Sequence, residues 1–470
     1  MKHIENEAAI LVSEFVKRAR VAQSVLEDYS QEKVDKLAAA VVSKLSQKDV
    51  AMKIAKLAFE ETGMGRIDSK RAKLTEKIPG CFFDVIQQKT VGIINYNAKT
   101  GITEIAKPVG VIAALIPSTN PEATPVFKGM LSLRGRNAIV FGSHPASHKT
   151  TKKVVELMRE VMAANGAPAD AFICVDEPSK EVSLEIMKQC DLIMATGSGE
   201  MVKAAYSSGK PSYGVGAGNA AIVVDETVDL AETAKMISMG KTGDNASGCS
   251  AENSLVIQED AYHDLITCLE KNGGYLCSPI EKRNLQKAMW RDGHLRREII
   301  AKEVTVIAAE AGINIPEGTA FLMVEEDSTG PNAPFSGEKL SLVLTLYKYK
   351  KFEDAVKRVN EITGYSGLGH SCGIHSLNRK RILKFGLETK TSRVIVRQPH
   401  GLANSGNWSN GLAFTFSLGC GTWGGNSVSE NITQKHYINT TRIAEPIERL
   451  PLSREEILAP YLEGMNNCGL

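Results

Sequence analysis

The chain of 470 residues lacks any apolar stretch approaching the ~20 residues that a bilayer-spanning helix requires, so no helical membrane anchor is expected. Its opening, MKHIENEAAILVSEFVKRAR, carries acids inside the apolar pattern and has no secretory-signal core. It reads as an amphipathic first helix. Charge of one sign is also missing: 56 Lys and Arg stand against 54 Asp and Glu, a formal net charge of +2. That balance gives no reason to expect a nucleic-acid or membrane partner. The nine cysteines include no CxxC and no Cys/His pairing at zinc spacing, so no metal site is expected. Odd in number and scattered, they suit the reduced thiols of the cytoplasm. Internal repeats, low-complexity tracts, a Pro/Ser-rich linker and a complete GxGxxG fingerprint are all absent.

What is present is an ordinary globular composition, 43% hydrophobic and 23% charged, in a chain long enough for two or three domains. The N-terminal region is helical in pattern; SQEKVDKLAAAVVSKL places apolar residues three and four apart. Residues 89–108, KTVGIINYNAKTGITEIAKP, read as a hairpin around a polar turn. From residue 109, short apolar runs (VGVIAALIP, NAIVFG, AFICVD, DLIMATG, AAIVVD) alternate with helical segments such as KTTKKVVELMREVMAANG. That alternation predicts an α/β fold with a doubly wound, Rossmann-like parallel sheet. The theme repeats from 226 to about 430 with NSLVI, EVTVIA, TAFLMVE, LSLVLTLYK and RVIVRQ, a second α/β domain. The expected division is therefore 1–225, 226–430 and a C-terminal segment 431–470, in which SREEILAP is a helix capped by Ser453 and Glu456.

Several segments could carry chemistry. In KTGDNASGCSAENSLVI, Cys249 has small, polar neighbours and precedes a strand, which suits a nucleophile approached by a substrate carbon; a buried filler thiol is the alternative. IPSTNPEATP follows the first strand, where open α/β sheets bind ligands, and Asn120 lies there before a proline; on the residues alone a turn and helix cap is the commoner explanation. GSHPASHKT could face a phosphate or ribose, or be a solvated loop. ATGSGEMVKAA sets Gly197 and Gly199 at a helix start suited to phosphate. YGVGAGNAAIVVD spaces three glycines for close backbone approach or a tight turn. GYSGLGHSCGIHS holds His370 and His375, each an acid/base candidate or a structural histidine. SLGCGTWGGNSVSEN is glycine-rich, which implies tight bending or close contact.

Together these segments, in order across roughly residues 85–435, resemble the aldehyde dehydrogenase superfamily and its coenzyme-A-acylating branch. Within the branch, PSTNPEATP, DNASGCSAENSLVI and RVIVRQPHGLANSGNWSNGLAF look most like acylating sulfoacetaldehyde dehydrogenases, then acylating succinate-semialdehyde dehydrogenases. The resemblance implies an NAD(P)-binding domain, a catalytic domain bearing the cysteine, and a C-terminal segment returning to the cofactor and oligomerisation side. It makes Cys249 the nucleophile and Asn120, with the Cys249 backbone N–H, the oxyanion holder. Ser118, Thr119, Ser143, His144, Pro145, Thr196, Gly197, Ser198, Gly199 and Gly216 would lie along the dinucleotide, with Glu338 near the nicotinamide ribose. The hairpin 89–108 would be an oligomerisation arm in a homodimer or homotetramer.

The implied reaction joins an aldehyde, coenzyme A and NAD or NADP to give acyl-CoA reversibly, in the cytoplasm. Hydrolytic relatives carry a water-activating glutamate where this chain has GVGAGN, with Val215 or Gly216 near that place. Without a base, a thiol intercepts the acyl-enzyme better than water. His370 is the candidate proton shuttle, and Arg397 or His400 could pair with an anionic substrate. Ser147 stands about where NAD-selective relatives have a glutamate, which favours acceptance of NADP through His148 or Lys149. Gly243 replaces an aromatic residue of relatives, Leu342 a proline and Ala146 a basic residue. Sulfoacetaldehyde is the first substrate expected; succinate semialdehyde, short-chain aldehydes and a non-catalytic dinucleotide-binding protein are the alternatives.

Overall fold

The computed structural model describes residues 2–197 and 199–462. Five helices come first: α1 (Lys2–Glu27), α2 (Gln31–Ser46), α3 (Lys48–Thr62), α4 (Ile67–Ala72) and α5 (Ile78–Ile86). A π-turn, Lys73–Lys77, joins the last two. α2 follows its sequence pattern: Ser30 accepts from the Lys33 N–H, and Val34, Leu37, Ala38, Val41 and Leu45 form the buried stripe. The hairpin is β1 (Gly92–Asn97) and β2 (Ile102–Lys107).

The chain then runs through β3 (Val111–Ile116), α6 (Thr124–Arg134), β4 (Ala138–Ser143), α7 (His148–Ala164), β5 (Phe172–Cys174), β6 (Leu192–Thr196) and β7 (Ser212–Val215). These five strands make a parallel sheet ordered β5-β4-β3-β6-β7. Both faces are covered. Ile112, Ala114 and Ile116 join the core against α2 and α6, while Val111, Ala113 and Leu115 pack against α1. Burial on both faces explains why the strand reads as an unbroken apolar run.

The second sheet collects β8 (Ala220–Val224), β9 (Glu252–Gln258), β10 (Gly274–Leu276), β13 (Phe321–Glu325), β14 (Val343–Tyr349), β15 (Cys372–His375) and β16 (Val394–Val396). All are parallel, in the order β10-β13-β14-β9-β8-β15-β16. Between β10 and β13 lies a short ladder, β11 (Trp290–Arg291) with β12 (His294–Leu295). β17 (Asn439–Ala444) returns to pair with β2.

Two expectations need correction. AAIVVD, expected at the end of the first domain, is β8, and it pairs with β9 and β15 of the second sheet; the boundary therefore falls before Ala220 rather than after 225. EVTVIA, expected as a strand, is the start of the helix Val304–Ala311, because Val304, Ile307, Ala308 and Ala311 are buried at helical spacing. SREEILAP does form a helix, Arg454–Leu462, with Ser453 Oγ accepting from Glu456 N–H and Glu456 Oε2 accepting from Ser453 N–H.

Strand direction arranges the candidate residues. Ser118–Asn120, Ser143–Pro145, Thr196–Gly197 and Gly216 all follow strands of the first sheet. Gly218, Cys249, Glu338, His370 and Arg393 all precede strands of the second. The carboxyl ends of one sheet thus share a site with the amino ends of the other. In the first sheet, order reverses between β3 and β6, the crevice where such folds bind ligands.

Beneath that crevice Lys128, on α6, is fully buried and donates to the carbonyls of Leu115 (2.9 Å) and Met194 (2.8 Å). Burial pulls its ammonium down to about 7. Lys128→Met leaves both strand-end carbonyls without a donor, each costing about 1–3 kcal/mol. We expect urea unfolding to show a stability loss of about 2–5 kcal/mol, and a loss under about 0.5 kcal/mol would refute this role.

Candidate active site

Cys249 stands three residues before β9 on a loop with unusual backbone. Asp244, Asn245 and Ala246 all have positive φ, at 49°, 52° and 56°. Single left-handed residues are routine for Asp and Asn, but three in succession, ending at Ala, are costly and need outside support. The N-terminal helical region supplies it. Asp244 Oδ1 accepts from the Arg66 N–H at 2.7 Å, and Asn245 Nδ2 donates to Gly65 O at 3.2 Å. Gly65 cannot be larger: a Cβ there would lie 2.2 Å from Asp244 Oδ1. On the other side Gly218 has no room either, since its Cβ would meet the Cys249 carbonyl oxygen at 2.0 Å. Of the spaced glycines of YGVGAGN, Gly218 therefore serves close backbone approach to the cysteine, while Gly214 packs against Val202 and Tyr206.

His370 Nε2 lies 3.2 Å from Cys249 Sγ. His370 is fully buried, and its Nδ1 meets Ser371 Oγ at 2.8 Å. Asn404 Nδ2 donates to Ser371 Oγ (3.0 Å) and to Ser250 Oγ (2.8 Å). Asn404 Oδ1 accepts from Arg393 Nε (3.1 Å), and Arg393 Nη2 donates to the His370 carbonyl (2.8 Å). The network closes on itself and fixes the imidazole. A proton on Nδ1, directed at Ser371, leaves Nε2 as an acceptor for the thiol. The glycine-rich run 417–425 packs behind: Gly369 has φ of 81°, and a Cβ there would lie 1.9 Å from the Cys420 carbonyl.

Both partners rest neutral. Burial, reinforced by the nearby Glu338 carboxyl, pushes the Cys249 thiol up to about 12. Burial, then the Arg393 charge, holds His370 well below the usual imidazole range. Glu338 accepts from the Gly218 N–H at 3.0 Å, and burial raises its carboxyl to about 8, so it too is largely protonated at neutral pH.

A lysine series, unnoticed in the sequence, links Asn120 to this loop. Lys73 Nζ donates both to Asn120 Oδ1 and to Asp244 Oδ2, and lies 3.4 Å from Glu122. Burial would lower Lys73, but Asp244 and Glu122 outweigh it and the ammonium is held above its ordinary value. Lys70 Nζ donates to the Thr119 carbonyl (3.3 Å) and lies 3.6 Å from Glu122, both side chains being fully buried. With Oδ1 held by Lys73, Asn120 presents Nδ2 as a donor; among the described residues its partner is Thr119 Oγ1 at 3.3 Å. The π-turn carrying Lys73 is the kind of helix irregularity that accumulates at functional sites.

The other candidates separate clearly. Ser143 Oγ meets His148 Nδ1 at 2.8 Å, and burial lowers His148, so it offers no cation to a phosphate. His144 Nδ1 accepts from the Ala146 N–H, making it a turn cap beside Pro145. Lys149 and Thr150 N–H groups both donate to Glu61 at 2.8 Å, so a carboxylate stands at the start of α7. Thr196 Oγ1 is 3.4 Å from Ser417 Oγ, and the space where Cβ atoms of Gly199 and Gly216 would lie is open. Ser198 lies outside the described residues. Open glycines, hydroxyls and a switch-point crevice fit a dinucleotide.

Arg397 and His400 need correction as substrate ligands. Arg397 follows β16, at the opposite edge of the sheet from Cys249, and donates to the Ser376 carbonyl at 2.9 Å. His400 is buried with Nδ1 2.7 Å from the Ser250 carbonyl, and burial takes it down to about 4; it cannot offer positive charge. His375 is likewise buried and lowered to about 4. Of the departures from relatives, Gly243 faces Leu402, whose Cδ2 a Cβ would meet at 3.3 Å, and Leu342 is core filling in the second sheet.

A half-buried cysteine beside a neutral histidine, an oriented amide and a dinucleotide crevice define an aldehyde-oxidising thiol enzyme. The sequence model of the aldehyde dehydrogenase family matches residues 1–273, and the chain belongs to that family, in its coenzyme-A-acylating branch. An acylating sulfoacetaldehyde dehydrogenase of Bilophila wadsworthia is 43% identical over 455 residues, covering 96% of this chain and 98% of its own. An acetylating succinate-semialdehyde dehydrogenase of Clostridium kluyveri is 39% identical, covering 94% and 96%. Among solved structures, an acetylating aldehyde dehydrogenase of Geobacillus thermoglucosidasius superposes with a TM-score of 0.92 at 33% identity, covering 96% of this chain and 100% of its own. A Rhodopseudomonas palustris propionaldehyde dehydrogenase with bound CoA and an acylated cysteine has a TM-score of 0.83 at 25% identity, covering 92% and 97%.

A thiol at about 12 sets the sign of a pH test. The thiolate fraction rises with pH throughout the accessible range, so alkylation of Cys249 by iodoacetamide should climb roughly tenfold per unit from pH 7 to 9. Peptide mapping separates it from the other cysteines; a rate already flat at pH 7 would contradict a neutral resting thiol.

Proposed function

We propose that the enzyme oxidises sulfoacetaldehyde to sulfoacetyl-CoA, and runs the reverse reaction, through a thioester on Cys249. The observation that carries the mechanism is the 3.2 Å contact between Cys249 Sγ and His370 Nε2, both neutral at rest. Sulfur attacks the aldehyde carbon while its proton passes to His370 Nε2. The hemithioacetal oxygen becomes an oxyanion received by Asn120 Nδ2 and the Cys249 N–H. Each such donor is worth roughly 3–4 kcal/mol in comparable sites. A nicotinamide dinucleotide, NAD or NADP, accepts hydride when bound. Ser118, Thr119, Ser143, His144, Pro145, Thr196, Gly197 and Gly199 would line it, with Gly216 and Glu338 near its reactive end. Once His370 has lost that first proton to solvent, the thioester passes its acyl group to the thiol of CoA; His370 takes the CoA thiol's proton and returns it to the departing Cys249 sulfur.

Water is a poor competitor because no ionised carboxylate faces the thioester: Gly216 has no side chain, and Glu338 is held near 8. Sulfoacetaldehyde is preferred over succinate semialdehyde on the 43% against 39% identities of the relatives named for them. The first sheet and its helices serve as the cofactor domain, the second as the catalytic domain from Ala220 to about 430. The three-stranded sheet β1-β2-β17, with Ile93 and Tyr96 mostly exposed, suits a homodimer or homotetramer contact. No helix among the described residues is long and apolar enough to cross a membrane, and the reading places the enzyme in the cytoplasm.

Reduced-cofactor formation from sulfoacetaldehyde should depend on CoA after the first turnover. Equal steady-state rates without CoA would sink the acylating assignment. Cys249→Ala should abolish turnover, and Asn120→Ala should lower kcat about 100- to 1,000-fold with little change in thermal stability.

A further inference from the structure

We infer that Lys77, seated against Ser405, recognises the anionic end of the aldehyde, a sulfonate or carboxylate. This deepens the substrate reading above and rests on it. Lys70, Lys73 and Lys77 lie on successive turns of one helical stretch, and the first two share the buried carboxylates of Glu122 and Asp244. Lys77 differs. Among the described residues it has no ion-pair partner; its Nζ donates to Ser405 Oγ and lies 4.6 Å from the centroid of the Phe416 ring.

Lys77 is also at the reacting centre. Ser405 follows Asn404, which bonds both Ser250, next to Cys249, and Ser371, next to His370. The Lys77 charge is felt at Cys249, and its principal perturbation, burial, lowers it to about 8, so it stays mostly protonated at pH 7. A half-buried ammonium with an aromatic face below it and a hydroxyl beside it, but no counterion, is a site lacking its anion. A single point charge plus a hydroxyl suits a compact anion a few bonds from the aldehyde carbon, where the planar fork of arginine is not required. It also supplies the cation that Arg397 and His400 do not.

The experiment compares kcat/KM for sulfoacetaldehyde, succinate semialdehyde and propionaldehyde in wild type, Lys77→Met and Lys77→Arg, with a thermal melt of each. Lys77→Met should lower the ratio of anionic to neutral substrate at least roughly tenfold, through KM, and Lys77→Arg should restore most of it. Ethanesulfonate and propionate, as unreactive competitors, should lose affinity in parallel; the arm that loses more identifies sulfonate or carboxylate. An unchanged ratio in Lys77→Met, or equal loss on all three aldehydes, overturns the assignment while leaving the acylating reaction intact. A wild-type enzyme indifferent to substrate charge overturns the anionic-substrate reading itself, and Lys77 with it.

Discussion

The ammonium of Lys73 is the joint on which the site depends. It reaches Asn120 on the loop after β3, Glu122 two residues before α6, and Asp244 on the loop that carries Cys249. These segments come from the two different sheets, and the lysine itself comes from a third region, the N-terminal helices. Two unit charges about 3.5 Å apart attract by about 5 kcal/mol at an effective dielectric near 20. Desolvating each ion costs several kcal/mol, so the cluster adds little net stability. What it adds is position: the Asn120 amide is turned donor-outward, and Asp244 is held in a left-handed conformation that its own backbone disfavours.

Burial then sets the chemistry. The same exclusion of water that fixes Asn120 and His370 raises Cys249 and lowers His370, so the pair rests without charge. A thiolate–imidazolium pair would need solvation that the site does not offer. In the proposed reaction, chemistry is deferred until an aldehyde carbon is present to accept the sulfur's electrons as the proton moves to Nε2. The Ser371–Asn404–Arg393 loop keeps the imidazole in place without adding an acid beside it, and Arg393, close by, opposes any premature positive charge on the ring.

Much of this was legible in the sequence, and the parts that were not share a cause. Parallel strands buried on both faces declare themselves as short apolar runs, and the loops after β3, β4 and β6 fall at ligand-binding ends by strand direction alone. AAIVVD looks like every other such run; only its pairing with β9 and β15 assigns it to the second sheet. EVTVIA is rich in β-branched residues, yet its burial at 304, 307, 308 and 311 follows the helix period that a longer window carries. Lys70 and Lys73 carry no local signal in the sequence because their partners, Glu122 and Asp244, are distant in the chain. Arg393 was hidden for the same reason. Arg397 and His400 were taken up on charge type alone, and the outcome turned on strand polarity for one and desolvation for the other.

The preference for a thiol over water follows from the packing of glycine against the nucleophile. Gly218 lies so close to Cys249 that a Cβ would collide with its carbonyl, and the Gly218 N–H is turned to Glu338. Gly218 of GVGAGN is thereby used to seat the cysteine, and Gly216, in the segment that bears a carboxylate in hydrolytic relatives, has no side chain to bear one. Glu338, the remaining carboxyl, is kept protonated by the same burial. Deprotonating water there would need a stronger base than neutral His370, whereas a CoA thiol is more acidic than water by several units and intrinsically more nucleophilic. Selectivity for acyl transfer thus comes from withholding a base, a property of backbone packing rather than of any added group.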